Sequence, residues 1–328
     1  VISYKAYPYL YVNLPTQVDK ENNKISTQIN HFSTYMISNR SLEGVGVAQV
    51  YLIDPLTTPD LTLVELNNLD GTGYLRGRYV DIKNVKYDSE PPTPSVKKIN
   101  LNFTYNPIEF GQPNYWGHDD ISDEGHRFDQ TSTYFLMDTA AMYFREKFGF
   151  KAKKEVLVGL YDINTNIGGY SDYTMIGSMQ SVDKPNDHRH VKGAIHEYTH
   201  LVQADFSGNL APDGLADPAG LAESFAKYFE MAFTNISFDP YIYNPQSGIK
   251  DFSNYNKWVY ERDIGKDIGF VLASTWWHLR ETIGENITDH LIYESMKHIV
   301  PGCAGPDALK ATLKSDEILY GGKHKSTI

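Results

Sequence analysis

The chain has few of the residues that build cross-linked, membrane-spanning or nucleic-acid-binding proteins. A single cysteine, Cys303, occurs among 328 residues, which excludes an intramolecular disulfide and any cysteine cluster for zinc or iron–sulfur. No run of about 18 apolar residues is present, so we expect no transmembrane helix. Positive charge is also scarce, because 30 basic and 41 acidic residues give a net charge of −11. That charge argues against nucleic acid or an anionic membrane as a partner.

What remains is the composition of a globular protein. Hydrophobic residues make up 41% and charged residues 22% of the chain, and its length fits two domains or one large one. The first residues lack the charged and apolar regions of a signal peptide, so none is expected within this sequence. The 24 tyrosines and one cysteine are compatible with a secreted protein, and we expect an extracellular location. The sequence carries no signal for an oligomeric state.

The order of local patterns predicts an α+β fold. Residues 1–105 are β-rich, with short strand candidates separated by Pro, Gly, Asn and Asp at 47–53, 61–66 and 79–82. Three prolines within 89–94 indicate a loop or linker. From about residue 126 the apolar spacing becomes helical. Helices are predicted at 128–148, 188–204, from Asp217-Pro218 onward and at 268–283, with strands at 156–161 and 168–179.

The strongest motif is His196-Glu197-Tyr198-Thr199-His200. On a helix, residues four apart share a face, so both imidazoles can reach one metal ion while Glu197 lies beside it. Burying two histidines and a glutamate in an apolar helix would be costly without a metal. Zinc accepts such ligands, and Glu197 can take a proton from an attacking water. The motif therefore predicts a catalytic zinc site.

A zinc site of this kind needs a third protein ligand. Glu223 follows His200 by 23 residues and lies among apolar residues of a predicted helix, so it is the first candidate. Glu230, one heptad further, is the competing ligand, and Asp205 and Asp213 are weaker ones.

Several segments resemble the fungalysin-type and thermolysin-type zinc endopeptidases. The resemblance extends over roughly residues 69–300 and is strongest from 168 to 230; its segments are 69–84, 128–150, 168–177, 188–202, 220–229 and 267–284. It implies that His196, His200 and Glu223 bind zinc and that Glu197 is the general base of a peptide-bond hydrolase.

The resemblance also implies an architecture and a substrate. The metallopeptidase domain would cover 106–328, with an α/β lobe at 106–205 carrying the motif helix and a helical lobe at 206–328. Residues 1–105 would form a separate β-rich region of undefined role. A peptide or protein substrate would add as a strand along the edge strand containing Gly168, Gly169 and Tyr170.

Two positions depart from the family pattern. Relatives usually carry Asp four residues after the ligand Glu, as the acceptor for the first His, where this chain has Lys227. Another group must therefore hold His196, either a backbone carbonyl or Glu230. The histidine that stabilises the oxyanion in relatives is replaced by Lys266, which could supply a positive donor. The alternatives to Lys266 are Tyr260, Arg262 and His278, and the flanking His188 and His190 are expected on the surface.

Two other functions stay open from the sequence. One is an aminopeptidase with the same zinc ligands, although its G-x-M-E-N segment is absent. The other is a non-catalytic binding protein on a protease scaffold, which Lys227 and Lys266 motivate. A calcium ion is also open at Asp119, Asp120, Asp123 and Glu124, but no EF-hand spacing supports it.

Overall fold

The structure is a computed structural model, and it describes most of the chain. The described residues are 2–7, 10–14, 17–19, 21–22, 24–26, 35–37, 46–55, 57–85, 93–107, 124–153, 156–161, 169–171, 174–178, 191–210, 216–244, 248–251 and 264–328. Helices and strands are mixed among them, which confirms the predicted α+β class. No helix in these ranges is both long and apolar enough to cross a membrane.

The chain divides into two compact units, each made of two segments. Unit 1 contains Val1–Glu146 and Lys154–Ala194, and unit 2 contains Lys147–Lys153 and Ile195–Ile328. The boundaries fall near the end of one helix and the start of another. The boundary predicted after residue 105 lies inside unit 1, and that division of domains stays a prediction.

Unit 1 holds all but two of the described strands. A three-stranded antiparallel sheet has the order β2-β1-β5 and a small hairpin pairs β3 with β4; their bounds are β1 Ile2–Tyr7, β2 Leu10–Leu14, β3 Gln17–Asp19, β4 Lys24–Ser26 and β5 Tyr35–Ile37. A second three-stranded sheet has the order β10-β6-β7; its strands are β6 Gly46–Val50, β7 Thr62–Leu66 and β10 Asn102–Phe103. Alternate residues of β6 are buried, as expected for a strand with one covered face.

The largest sheet of unit 1 has five strands in the order β12-β13-β11-β8-β9. Their bounds are β8 Val80–Val85, β9 Thr93–Pro94, β11 Val156–Tyr161, β12 Gly169–Ser171 and β13 Thr174–Ser178. The three inner strands are parallel and the two edge strands are antiparallel to their neighbours. Pro94 lies on an edge strand, where its missing N–H removes no ladder bond from the centre. The single strand predicted at 168–179 is instead the β12–β13 pair.

Helix α1, Glu124–Phe148, ends where Gly149 adopts a left-handed φ of 72°, at the end predicted for the helix at 128–148. Its unit 1 portion holds the 67–78 loop. Tyr134 Oη donates to the Asn67 carbonyl at 2.9 Å, and Asn68 Nδ2 donates to both oxygens of Asp138 at 3.1 and 3.0 Å. Asp138 is 4% exposed, and burial raises its pKa to about 7 although the Asn68 amide opposes that shift.

Unit 2 is mainly helical. Its helices are the greater part of α2 Val191–Ser207, and α3 Ala216–Thr234, α4 Ile264–Ile283, α5 Glu285–Ser295 and α6 Gly305–Tyr320, with a hairpin of β14 Phe238–Asn244 and β15 Gly248–Asp251. Helix α3 packs extensively on α4, where Phe225 stacks on Trp276 with ring centroids 5.0 Å apart. Helix α3 begins at Ala216, one residue before the start predicted at Asp217-Pro218.

A buried ion-pair cluster joins four segments of unit 2. Asp289 is fully buried, and its carboxylate accepts hydrogen bonds from the Lys147 ammonium, from Arg280 Nε at 3.1 Å and from Tyr228 Oη at 2.5 Å. Arg280 also donates to Glu285 Oε2 at 2.6 Å. We call Asp289, Lys147, Arg280 and Tyr228 the Asp289 cluster. Both carboxylate oxygens have donors, so the charge of Asp289 is compensated within the protein.

Candidate metal centre

Two helices of unit 2 bring the three predicted ligands together. His196 and His200 lie one turn apart on α2, and Glu223 lies on α3. His196 Nε2 is 3.1 Å from His200 Nε2 and 3.3 Å from Glu223 Oε2, and His200 Nε2 is 3.4 Å from Glu223 Oε1. These three side chains, which we call the ligand triangle, form the one group of potential metal ligands found among the described residues.

The size of the ligand triangle fits zinc. Zinc binds imidazole nitrogen and carboxylate oxygen at about 2.0–2.2 Å, so neighbouring ligand atoms of a tetrahedral site lie about 3.3–3.5 Å apart. The three measured separations, 3.1, 3.3 and 3.4 Å, lie at or slightly below that spacing. The two contacts of Glu223 use different carboxylate oxygens, so the carboxylate faces both imidazoles. Three protein residues are the ligand count of catalytic zinc sites.

Glu230 lies behind the ligand triangle and contacts His196. Its Oε1 is in short hydrogen-bond contact with His196 Nδ1, and its side chain is 4% exposed. Because the carboxylate is an acceptor, Nδ1 carries the proton, and in the neutral ring Nε2 keeps its lone pair toward the triangle. Glu230 therefore takes the role of acceptor for the first histidine, one of the two alternatives raised by Lys227, and lies outside the ligand triangle.

Lys227 completes this arrangement. Its ammonium donates to the same Oε1 of Glu230 at 2.7 Å, from a position one helical turn earlier on α3. A buried carboxylate is costly unless it is paired. The lysine that departs from the family pattern thus neutralises the glutamate that supports His196.

The charges around the triangle favour a cation. Burial and the Lys227 ammonium lower the pKa of His196, but the carboxylates of Glu223 and Glu230 outweigh them and raise it. Burial raises the pKa of Glu223, yet the two imidazoles hold it well below its usual range. A positive charge is therefore stabilised where the three ligand atoms converge, and a metal ion and a proton compete for His196 Nε2.

Glu197 lies next to the first ligand on α2 and is half-buried. Within the described ranges its carboxylate takes part in no hydrogen bond or ion pair. Tyr198 and Thr199, which follow it, are buried, and Thr199 Oγ1 donates to the Ile195 carbonyl at 2.7 Å. The core side of the helix is thus filled by its neighbours, and Glu197 keeps a carboxylate available for a proton.

The other predicted site residues lie on other elements or outside the described residues. Gly169 and Tyr170 lie in β12 at the edge of the five-stranded sheet, and Gly168 lies outside the described residues. Lys266 falls within α4, but its side chain is outside what is described.

The alternative site residues proposed from the sequence either have other partners or lie outside the described residues. His278 is an exposed residue of α4 whose Nδ1 is 3.2 Å from Glu281 Oε2. Asp205 pairs with Lys153 at 2.8 Å, and Glu124 accepts hydrogen bonds from Asn106. The remaining candidates lie outside the described residues: Asp119, Asp120, Asp123, His188, His190, Asp213, Tyr260 and Arg262.

The structure adds one residue that sequence reasoning did not assign to the site. Gly269 of α4 lies directly against Glu223, so close that a Cβ atom there would be 2.9 Å from Glu223 Cβ. A glycine inside a helical apolar pattern was the available signal.

No protein-family model matches the chain, and no curated protein matches it significantly.

Proposed function

We propose that this protein is a zinc-dependent peptidase that hydrolyses internal peptide bonds. The proposal is carried by the ligand triangle of His196, His200 and Glu223, whose separations of 3.1–3.4 Å suit a tetrahedral zinc ion. Glu197, the neighbour of the first ligand, supplies the base that hydrolysis requires.

Each residue of the site has a separate role in the proposed reaction. His196, His200 and Glu223 would hold the ion, and Glu230 with Lys227 would fix the ring of His196. When bound, zinc supplies Lewis acidity for the scissile carbonyl and acidifies water. Glu197 accepts the proton of the attacking water and passes it to the leaving amine. Lys266 remains our proposed donor to the oxyanion.

The mixed ligand set favours zinc among the common metals. Magnesium and calcium prefer all-oxygen sites, whereas two imidazoles and one carboxylate suit zinc. Zinc also stays redox-inactive, which matches a hydrolytic reaction. The proposal assigns no calcium ion.

The sequence resemblance extends the proposal beyond the metal centre. It suggests a fungalysin-like or thermolysin-like domain, with an α/β lobe ahead of a helical lobe and the active-site helix between them. It also suggests a secreted protein and a peptide substrate paired with the edge strand of Gly168, Gly169 and Tyr170. The position of β12 at a sheet edge supports that pairing, because an edge strand presents unpaired backbone groups.

Glu197→Gln tests the function. We expect one zinc ion per wild-type chain and cleavage of internally quenched peptides that a chelator abolishes. The variant should keep its zinc but lose activity by about 10²–10⁴-fold, since it cannot take up the proton. Glu146→Gln, an exposed site on α1, is the matched control and should be fully active. Activity that survives both chelation and Glu197→Gln would refute the proposal.

The same assay separates the alternatives. Cleavage that requires a free amino terminus would indicate an aminopeptidase, which amino-blocked peptides reveal. Bound zinc without turnover of any peptide library would indicate a binding protein. The pairing of Lys227 with Glu230 weakens that second alternative, because this lysine has a role in supporting a ligand.

A further inference from the structure

Helix α4 approaches α3 very closely at the third ligand. Gly269 lies so near Glu223 that an added Cβ would be 2.9 Å from Glu223 Cβ, 3.3 Å from the Gly220 carbonyl oxygen and 3.5 Å from the Glu223 carbonyl carbon. These atoms belong to the α3 backbone or are fixed directly to it. Rotation of a flexible side chain therefore cannot relieve such a contact.

The glycine is unfavourable for the helix itself. Gly269 lies in the first third of α4 and is buried. Glycine is a poor helix former because it loses more backbone freedom on folding than alanine does. Alanine would favour the helix here, so the close approach to Glu223 accounts for glycine at this position.

The contact continues along the same face of α4. Ala273 and Trp276, four and seven residues after Gly269, are buried, and Trp276 packs on Phe225 and Tyr228 of α3. A methyl group at position 269 would therefore push against one end of a tightly packed helix pair. The displacement would fall on Glu223, since the aromatic end has little free space.

The required displacement exceeds what a zinc site tolerates. Contacting carbon atoms lie about 3.5–4.0 Å apart, so the two Cβ atoms would have to separate by roughly half an ångström or more. Metal–ligand distances are held to about 0.2 Å. The carboxylate of Glu223 would then no longer complete a triangle whose edges are 3.1–3.4 Å.

We infer that Gly269 is a positioning residue for the third zinc ligand, acting through the backbone of Glu223. The inference rests on the proposed zinc function. It assigns to α4 the task of setting where the Glu223 carboxylate meets the two imidazoles.

Gly269→Ala tests this in the full-length protein. The zinc dissociation constant of the stripped chain is measured by competition with a chromophoric chelator, together with thermal unfolding of the metal-free protein. We expect zinc affinity about 10–100-fold weaker, as for loss of other groups that orient a ligand. Gly305→Ala on α6 is the matched control, because its Cβ would meet only Leu272 Cδ1 at 3.8 Å, and its affinity should match the wild type.

A double variant separates a specific effect from general damage. In a Glu223→Ala background, Gly269→Ala should cause no further loss of zinc affinity, because the ligand it displaces is already gone. If Gly269→Ala alone prevents folding, Glu223→Gly removes the Cβ atom that it strikes. The double variant should then fold, because the shortest contact, 2.9 Å to Glu223 Cβ, is gone.

The outcomes distinguish a failure of this inference from a failure of the proposed zinc function. Wild-type zinc binding with unchanged binding by Gly269→Ala overturns the inference and leaves the proposed function standing. A further loss in the Glu223→Ala background, or a double variant with Glu223→Gly that does not fold, also overturns it. A wild-type chain that binds no zinc overturns both.

Discussion

Helix α3 contributes to two sets of charged groups, one around the fully buried Asp289 and one partly exposed, and they are built in opposite ways. In the Asp289 cluster every carboxylate oxygen meets a donor, from Lys147, Arg280 or Tyr228. In the ligand triangle, two imidazole nitrogens and a carboxylate converge within 3.4 Å. In the Asp289 cluster the positive and negative charges balance within the set. The ligand triangle instead brings together electron pairs that a single cation can bind at once.

The difference shows how structural and ligand-binding charge can be told apart. A structural ion pair brings cation and anion together, so that neither needs a further partner. A metal site brings electron-pair donors together. Charged groups outside the ligand set balance the charge of the residues that support the ligands, as Lys227 does for Glu230. Changes in the Asp289 cluster should therefore alter folding, and changes in the ligand triangle should alter zinc binding.

The largest effect is expected from His200→Ala. Structural zinc sites in zinc-finger peptides contribute about 10–16 kcal/mol, so losing one ligand should weaken zinc affinity by on the order of 1,000-fold or more. The free energy of unfolding of the metal-free protein should change little. The His200 side chain is 18% exposed and lies at the triangle, so its removal leaves no cavity in the hydrophobic core. Competition titration at fixed pH measures the affinity.

His278→Ala is the matched control for that prediction. His278 is an exposed residue of α4 that pairs with Glu281, so its removal should leave zinc affinity unchanged. Equal affinities for His200→Ala and His278→Ala would show that the triangle does not bind zinc, and the contrast with the Asp289 cluster would collapse.

A third buried carboxylate, Asp138 of unit 1, extends the contrast because it accepts hydrogen bonds from the neutral Asn68 amide. Its pKa is raised from 3.8 to about 7, chiefly by burial. Between these values the unfolded chain has released the proton and the folded chain still holds it, so stability falls as pH rises. At about 1.4 kcal/mol per pKa unit, the loss between pH 4 and 7 is at most roughly 4 kcal/mol.

Asp138→Asn should remove that pH dependence. Denaturant unfolding at several pH values measures it, and the difference between variant and wild type isolates the contribution of Asp138 from other titrating groups. Asp60→Asn, an exposed site, is the control for loss of one charge and should leave the slope unchanged. The same slope in Asp138→Asn and the wild type would mean that the carboxylate is not held neutral.

The sequence predicted the parts of this site that depend on helical spacing. His196 and His200 share a face because they are four residues apart, and Glu223 was found because its apolar neighbours place it on a buried helix. Glu230 remained an alternative, since the same heptad spacing allows it to reach either a metal ion bound by the histidines or Nδ1 of His196. How α2 and α3 cross decides between these roles, and no local pattern encodes that crossing.

Contacts between distant segments could not be predicted at all. The Asp289 cluster joins residues from Lys147 to Asp289, separated by 142 positions, and each looks like an ordinary helix residue in its own segment. The contact of Gly269 could not be predicted either, because it depends on Glu223 of α3 lying against it. The sheet order β12-β13-β11-β8-β9 likewise depends on which strands pair, whereas the existence of most of these strands followed from their residues.

A smaller effect, confined to folding, is expected from Asp289→Asn. It would leave Lys147 and Arg280 without their buried counter-charge, at a cost of roughly 3 kcal/mol in the free energy of unfolding. Zinc affinity of the folded protein should stay at the wild-type value. Denaturant unfolding and zinc titration of the same sample check both, with Asp60→Asn as control. A loss of zinc affinity at constant stability would contradict the division between the two clusters.

Glu230→Gln is expected to have the smallest effect and tests the link between ion pairing and metal binding. The amide can still accept from His196 Nδ1, but the charge that stabilises the bound cation through the ring is lost. Zinc affinity should fall by about 10–100-fold while the stoichiometry stays at one ion per chain. Glu146→Gln on the exposed surface of α1 should bind as the wild type does. If Glu230→Gln does too, Glu230 belongs with Asp289 as a structural charge, and the proposed support of His196 is wrong.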